Sequence, residues 1–295
     1  VRIVAVYSIK GGVGKTTTAV NLASLAAREG RRVLLWDLDP QGAASYAFRV
    51  RPKVRAASRK LVHGRRDLAE LVRGSDVRNL DLLPADLSDR HLDVVLSGGA
   101  PQRRGLRGVL APLERDYDLV VLDCAPSVSR VSEAVIATSD VLLVPTTPAP
   151  LSLRTLAQLH AHVRALDVGR PCVLAFLTML DRRRAMHRRY EAWAGNAAVG
   201  MLATIIPLAS QVEQMSVERR PLDAFAPTSA AGEAYRRLWH ELAERLEGPR
   251  AGRQAPTRED LDGLLATARP PSRPARGEAR GRAPSSTPRG RSDDA

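Results

Sequence analysis

The sequence predicts an α/β fold, a mostly parallel twisted sheet with helices on both faces. Three observations predict it. Short runs rich in Val, Ile and Leu alternate with helix-period stretches over roughly 240 residues. Those runs are near-continuously apolar, as strands buried on both sides must be. The first of them enters a glycine-rich loop that opens directly into a helix, the strand–turn–helix start of a doubly wound sheet.

In chain order, "VRIVAVYSI" is the first strand, and "KTTTAVNLASLAAREG" is a helix stopped by Gly30. "RRVLLWDLDP" is a second buried strand that ends in acids. "NLDLLPAD", "YDLVVLDCAP", "DVLLVPTTP", "PCVLAFLTMLD" and "MLATIIPLAS" are further strands, each bounded by turn or polar residues. Between them, stretches such as "LSLRTLAQLHAHVRALDVG" carry helical spacing. The pattern assigns 1–247 to one domain and 248–295 to a Pro/Arg/Gly-rich linker and tail. Within the latter, 257–268 forms a short helix capped by Thr257 with Asp260 three residues on. After Arg269 the composition cannot bury enough apolar surface to fold, which predicts a disordered basic tail.

Composition narrows the function. No apolar run reaches the roughly 18–20 residues that span a bilayer, so a cytoplasmic protein is expected. Cys124 and Cys172 lie far apart without metal-ligand spacing, which excludes a disulfide scaffold and a cysteine zinc site. The formal charge of +13 favours nucleic acid or another acidic surface as partner, with arginine-rich genome bias as the other source of such a balance. Lysine occurs only as Lys10, Lys15, Lys53 and Lys60, and two of those four lie in one loop. Those two places evidently require an ammonium, a compact point charge, rather than the planar guanidinium used elsewhere.

That loop is "SIKGGVGKTTTAVNL". Gly11, Gly12 and Gly14, with Val13 between them, let successive backbone N–H groups converge on phosphate oxygens, and the following helix turns its positive end to the anion. Lys15 reaches the outer phosphates, the Thr16 hydroxyl ligates Mg²⁺, and Thr17 follows in the binding segment. Asp37 and Asp39 end the second strand and Asp123 ends another, at the sheet edge where ligands of such folds bind. The six histidines are scattered, with His160 and His162 on a helix face, and no Ser/His/Asp set or cysteine nucleophile emerges.

"KGGVGKTTTAVNLA" resembles the deviant Walker A loop of the ParA/MinD superfamily of P-loop ATPases, in which the place of Ile9 is not glycine and an extra lysine stands at Lys10. "VLLWDLDPQGAAS" resembles that family's switch region and "YDLVVLDCAPS" its Walker B strand. The likeness covers about residues 1 to 245 and is strongest to the ParA branch. It implies ATP and Mg²⁺ as cofactors and an ATP-dependent homodimer, in which Lys10 reaches the partner's phosphates. It also implies non-specific DNA binding, and slow hydrolysis stimulated by a ParB-like or other partner. The corresponding role is DNA partitioning or intracellular positioning, with a nucleoid-associated location. By the same resemblance Asp123 holds Mg²⁺ through water, Asp39 joins the metal set and orients the attacking water or closes the switch, and Asp37 helps the metal shell or, as a strand-end acid, caps the next helix. Met179, Asp181 and Pro207 match segments that flank the adenine, and equally read as a core methionine, a strand-end acid and a turn proline.

The sequence departs from the ParA branch at positions often basic in it, which here are Ala203, Leu208 and Ala230. Other arginines stand as DNA contacts: Arg182, Arg183, Arg184, Arg188 and Arg189 in one cluster, and Arg219 with Arg220. "RVRPKVRAASRK" and the tail add more. The departure feeds an alternative, an ATP-switched adaptor that recruits proteins without binding DNA. A MinD-like membrane ATPase is disfavoured because the C-terminus is Pro-rich rather than an amphipathic helix. A metal-cluster carrier would need bridging cysteines, and an amidoligase of the cobyrinate type would need a further glutaminase-like domain.

Overall fold

The computed structural model describes residues 1–51, 68–85, 105–166, 171–248 and 256–267. The expected tail after Arg269, Lys53 and Lys60, and most of "RVRPKVRAASRK" lie outside the described residues.

Among the described residues the strands are β1 (Arg2–Val6), β2 (Val33–Asp37), β3 (Arg73–Gly74), β4 (Leu80–Leu83), β5 (Leu119–Asp123), β6 (Val141–Thr146), β7 (Cys172–Leu180) and β8 (Met201–Pro207). They form one sheet in the order β3-β4-β2-β5-β1-β6-β7-β8. Every pairing is parallel except that of the two-residue edge strand β3 with β4. β3 carries Arg73 and Gly74, and nothing in its sequence marks it as a strand.

The helices are α1 (Lys15–Arg28), α2 (Ala43–Ala47), α3 (Gly105–Leu110), α4 (Arg130–Thr138), α5 (Pro150–Ala165), α6 (Ala185–Glu191), α7 (Ser210–Glu218), α8 (Leu222–Phe225), α9 (Ala230–Glu247) and α10 (Arg258–Thr267). The period-2 geometry of β1 splits its residues between two cores. Ile3 and Ala5, with Tyr7 just beyond the strand, pack with Leu153 and Leu156 of α5 on one face, while Val4 and Val6 pack with Leu22 of α1 and Trp239 of α9 on the other.

The chain leaves β1 toward β2 on one side and reaches β6 on the other. The strand order therefore reverses beside β1, and a crevice opens outside the carboxyl ends of β5, β1 and β6. The loop after β1 lies at that reversal.

Local chemistry closes the helices. α1 stops where Gly30 takes φ 91° and its N–H donates to the Ala27 carbonyl. Ser129 and Ser132 cap α4 reciprocally, and Thr257 and Asp260 do the same for α10. α10 packs on α5 and places Leu261 in the core. Its Pro256 carbonyl accepts from Arg164 of α5 at 3.0 Å.

α1 carries the loop's lysine, so its anchorage matters. Trp239 of α9 is fully buried against it and donates its indole N–H to Glu29 at 2.6 Å, while Asp223 accepts from Ser24 and pairs with Arg28. Trp239→Ala is expected to cost about 3–5 kcal/mol of unfolding free energy. Urea denaturation checks this, and a loss below about 1 kcal/mol would contradict the packing described.

Candidate functional site

The loop from Ser8 to Gly14 takes a conformation that its glycines permit. Gly12 and Gly14 have φ of 69° and 85°, the left-handed region in which a Cβ is strained. No atom lies within 4 Å of where a Cβ on Gly11 or Gly12 would stand, so the space over the loop is open. Gly14 caps α1, whose first residue is Lys15.

Lys15 is 7% exposed, and its ammonium donates to the Lys10 carbonyl at 3.4 Å. Burial pushes its pKa down, and the charges of Asp123 and Asp39 act against that shift. Facing it, Asp123 is fully buried and neither carboxylate oxygen has a hydrogen-bond partner. Burial raises the Asp123 pKa well above the ordinary carboxylate value, and the charge of Asp37 pushes the same way. The Thr16 hydroxyl is near enough to oppose that rise without making a well-formed hydrogen bond. A buried ammonium beside an unpartnered buried carboxylate is an arrangement that needs a ligand.

The two lysines diverge. Lys15 enters the crevice. Lys10 turns aside, donating to Ser152 Oγ at 3.1 Å and Thr147 Oγ1 at 3.4 Å, two hydroxyls 2.6 Å apart at the start of α5.

Asp39 sits in a tight turn in which its Oδ1 accepts from the Gln41 N–H at 3.0 Å and its carbonyl from Gly42 at 2.9 Å. Asp37 is 1% exposed, and its Oδ2 accepts from both the Ser45 N–H at 2.8 Å and the Ser45 hydroxyl at 2.7 Å. Its Oδ1 has no partner. Ser45 was not singled out by the sequence; the aliphatic hydroxyl it carries in the run "GAASYA" was the available signal.

Met179 and Asp181 at the end of β7, and Pro207 at the end of β8, reach the same edge. Met179 holds φ 55°, strained for a side chain of this kind, and its Cε lies 3.7 Å from where a Cβ on Gly14 would be. Leu208, after Pro207, donates its N–H to the Leu180 carbonyl at 3.0 Å. Asp181 accepts from Arg183 Nε at 2.9 Å, which holds its carboxyl down at about 2.

The candidate DNA contacts separate into engaged and free arginines. Arg182 pairs with Glu191 at 2.7 Å, Arg183 and Arg184 with Asp181, and Arg188 donates to the Arg182 carbonyl. The Arg219 guanidinium stacks 4.3 Å over the Tyr46 ring and donates to the Tyr46 carbonyl at 3.1 Å. Arg189 and Arg220 are exposed and make no such pair among the described residues.

Mg²⁺ fits this donor set. Among the described residues no group of three or more His, Cys, Asp or Glu could cage a metal. A Mg²⁺ held by one hydroxyl, one carboxylate, waters and substrate phosphates needs no such cage, and Thr16 with Asp123 would supply the protein's share.

A family model described as an AAA domain matches residues 1–169. The chromosome-partitioning ATPase Soj of Thermus thermophilus is 34% identical over 261 residues, covering 84% of this chain and 97% of the relative. The chain belongs to the ParA/MinD superfamily. The chromosome partitioning protein ParA of Myxococcus xanthus is 30% identical over 83% of this chain and 88% of its own.

Solved structures of superfamily members agree in fold. The cell division ATPase MinD of Pyrococcus furiosus superposes with a TM-score of 0.68 at 22% identity, covering 83% of this chain and 99% of MinD. A chain described as cobyrinic acid a,c-diamide synthase of Mycobacterium smegmatis, with bound ATP analogue and magnesium, superposes at 0.69 with 26% identity, covering 87% of this chain and 98% of that one. Chain length therefore does not exclude an amidoligase, as the need for a further domain had implied. Cys124 does not favour one: it is buried, and burial with the Asp123 charge pushes its pKa up, away from a nucleophile.

Burial pushes the Asp37 carboxyl up to about 6, above the ordinary aspartate range near 4. Between those values the folded chain keeps a proton that the unfolded chain has lost. This stability is full below about pH 4 and is lost as pH rises through about 6. Without nucleotide, wild type should lose up to about 3 kcal/mol relative to Asp37→Asn between pH 4 and pH 7 in urea unfolding. A wild-type to Asp37→Asn difference that stays flat across that range would contradict it.

Proposed function

We propose that the chain is a ParA-like partitioning or positioning ATPase, in which Mg·ATP binding drives dimerisation and hydrolysis reverses it. One observation carries this reading: a buried Lys15 ammonium and an unpartnered Asp123 face each other beneath an open glycine loop at the reversal of the sheet. In it, residues 1–247 are the ATPase domain and 248–295 an appended linker and tail.

The backbone from Gly11 to Gly14 and the N-terminus of α1 cradle the phosphates, with Lys15 on the outer ones. Thr16 and Asp123 hold Mg²⁺, which neutralises charge on the phosphate oxygens when bound. Asp39 orients a water for in-line attack on the γ-phosphorus, breaking its bond to the β–γ bridging oxygen and yielding ADP and phosphate. Thr17 completes the loop, and Met179, Asp181 and Pro207 border the base.

Lys10 serves the partner subunit's phosphates. Its sideways course toward α5 supports this, because it leaves the phosphates of its own crevice to Lys15. Val128, Leu151, Met186 and Leu208, exposed just beyond the ends of β5, β6, β7 and β8, supply an apolar rim for the second copy. The basic balance and the free Arg189 and Arg220 support non-specific DNA binding by the dimer and a nucleoid-associated location, with a ParB-like protein accelerating turnover. No helix among the described residues is long and apolar enough to cross a membrane.

A second reading, an ATP-switched adaptor without DNA binding, is favoured by the internal engagement of Arg182, Arg183, Arg184 and Arg219. An electrophoretic shift with and without ATP separates the two.

Lys10→Ala should remain a folded monomer that binds ATP. Its ATP-dependent dimerisation should weaken on the order of 100-fold, from two lost charge-assisted contacts at roughly 1.5 kcal/mol each. Sedimentation with Mg·ATP measures this, and a wild-type dimer in that variant removes the role. For DNA, each contacted phosphate adds a slope of about −0.9 to log affinity against log salt. Arg189→Ala and Arg220→Ala should each reduce that slope by about one, and Arg183→Ala by less; a salt-independent affinity favours the adaptor.

A further inference from the structure

We infer that Ser45 is a positioning residue for ATP hydrolysis, fixing the turn that carries Asp39 by bridging the ends of β2 and β4. The assignment rests on the nucleotide reading of the crevice.

The Asp39 turn hangs between two anchors. Upstream, the Leu38 N–H donates to the Asp123 carbonyl at 2.9 Å, which ties the chain to the end of β5. Downstream, α2 begins at Ala43, and a helix of five residues has little stability of its own. Core packing of Ala44, Ala47 and Phe48 and the Arg219 contact with Tyr46 hold its outer side, and Ser45, which is 4% exposed, ties it to the strand ends beside the Asp39 turn. The Ser45 N–H and hydroxyl both donate to Asp37 Oδ2, and the same hydroxyl oxygen accepts from the Ala85 N–H at 3.2 Å. One hydroxyl thus joins β2, α2 and the residue that follows β4 by two steps.

Asp39 has no comparable anchor. Its carboxylate accepts from Gln41 inside the same turn, so the side chain is shaped locally, and the turn is located by its two ends and by the Asp39 backbone beside Asp37. Removing the downstream anchor lets the turn drift as a unit, carrying Asp39 away from the water it orients. Ser45 lies on the buried side of α2 with its polar groups engaged by Asp37 and Ala85 and is not one of the phosphate-cradling loop residues, so nucleotide affinity should be spared. The contact differs from a core bond in that respect, because its loss should separate turnover from binding. A displacement of about 1 Å at a catalytic group can cost on the order of 100-fold, and the retained Ser45 N–H bond limits the drift.

The test compares wild type, Ser45→Ala and Ser45→Thr in the full chain. Steady-state turnover of Mg·ATP gives kcat, and titration with a fluorescent ATP analogue gives Kd. Hydrogen exchange follows the amides of 38–47. For Ser45→Ala the expectation is a kcat lowered roughly tenfold, a Kd within about twofold of wild type, and faster exchange in 38–47. Ser45→Thr, which keeps the hydroxyl, should recover kcat to within about threefold. Should Ser45→Ala fail to fold, Ser45→Cys replaces it, keeping volume with a much weaker donor.

Wild-type kcat in Ser45→Ala, or equal losses in kcat and analogue affinity, overturns the positioning role while leaving the nucleotide reading intact. A wild-type chain that neither binds nor hydrolyses Mg·ATP overturns both.

Discussion

The structure depends on a buried ammonium and a buried carboxylate that face each other without completing each other. Lys15 finds only one long contact to a carbonyl, and Asp123 finds no hydrogen bond. Leaving such groups in a low-dielectric crevice is costly, and the fold tolerates it because the cost is offset when a polyanion and its cation enter. Burial pushes the Lys15 pKa down and the Asp123 pKa up, each toward its neutral form. A charged ligand reverses both tendencies, which couples occupancy of the crevice to the charge state of its walls.

The rest of the molecule holds those groups in place. β1 and β5 run parallel in register, with Val6 opposite Asp123, so the loop and the acid emerge side by side. α1 is clamped from behind by α8 and α9 through Asp223, Trp239 and Leu238. The opposite face is covered by α4 and α5, and α10 adds a second layer over α5. Lys10 is held over the start of α5 by two hydroxyls, at the margin of the crevice rather than within it.

Much of this was legible in the sequence because period and local chemistry agreed. Continuous apolar runs marked β1, β2 and β5 to β8, and glycine spacing marked the loop whose left-handed residues are Gly12 and Gly14. What escaped notice depended on which partner each side chain takes once the chain is folded. Asp37 stood between the metal shell and a helix cap, and its Oδ2 accepts from the N–H and hydroxyl of Ser45, eight residues on in α2. The arginines of "DRRRAMHRRY" read as one basic surface. Asp181, which opens that run, and Glu191, which follows it, neutralise three of the five in the folded loop. Arg219 looked like a surface charge until α2 placed Tyr46 beneath it. The edge strand β3 is too short to carry a periodic signal.

The most direct test of the central claim is the thermal unfolding temperature as Mg·ATP is raised. A ligand that binds only the folded chain adds about 2.7 kcal/mol of stability at 100 times its Kd. The account predicts a transition that climbs steadily with Mg·ATP in wild type and barely moves in Asp123→Ala. A wild-type transition unmoved by millimolar Mg·ATP would contradict it.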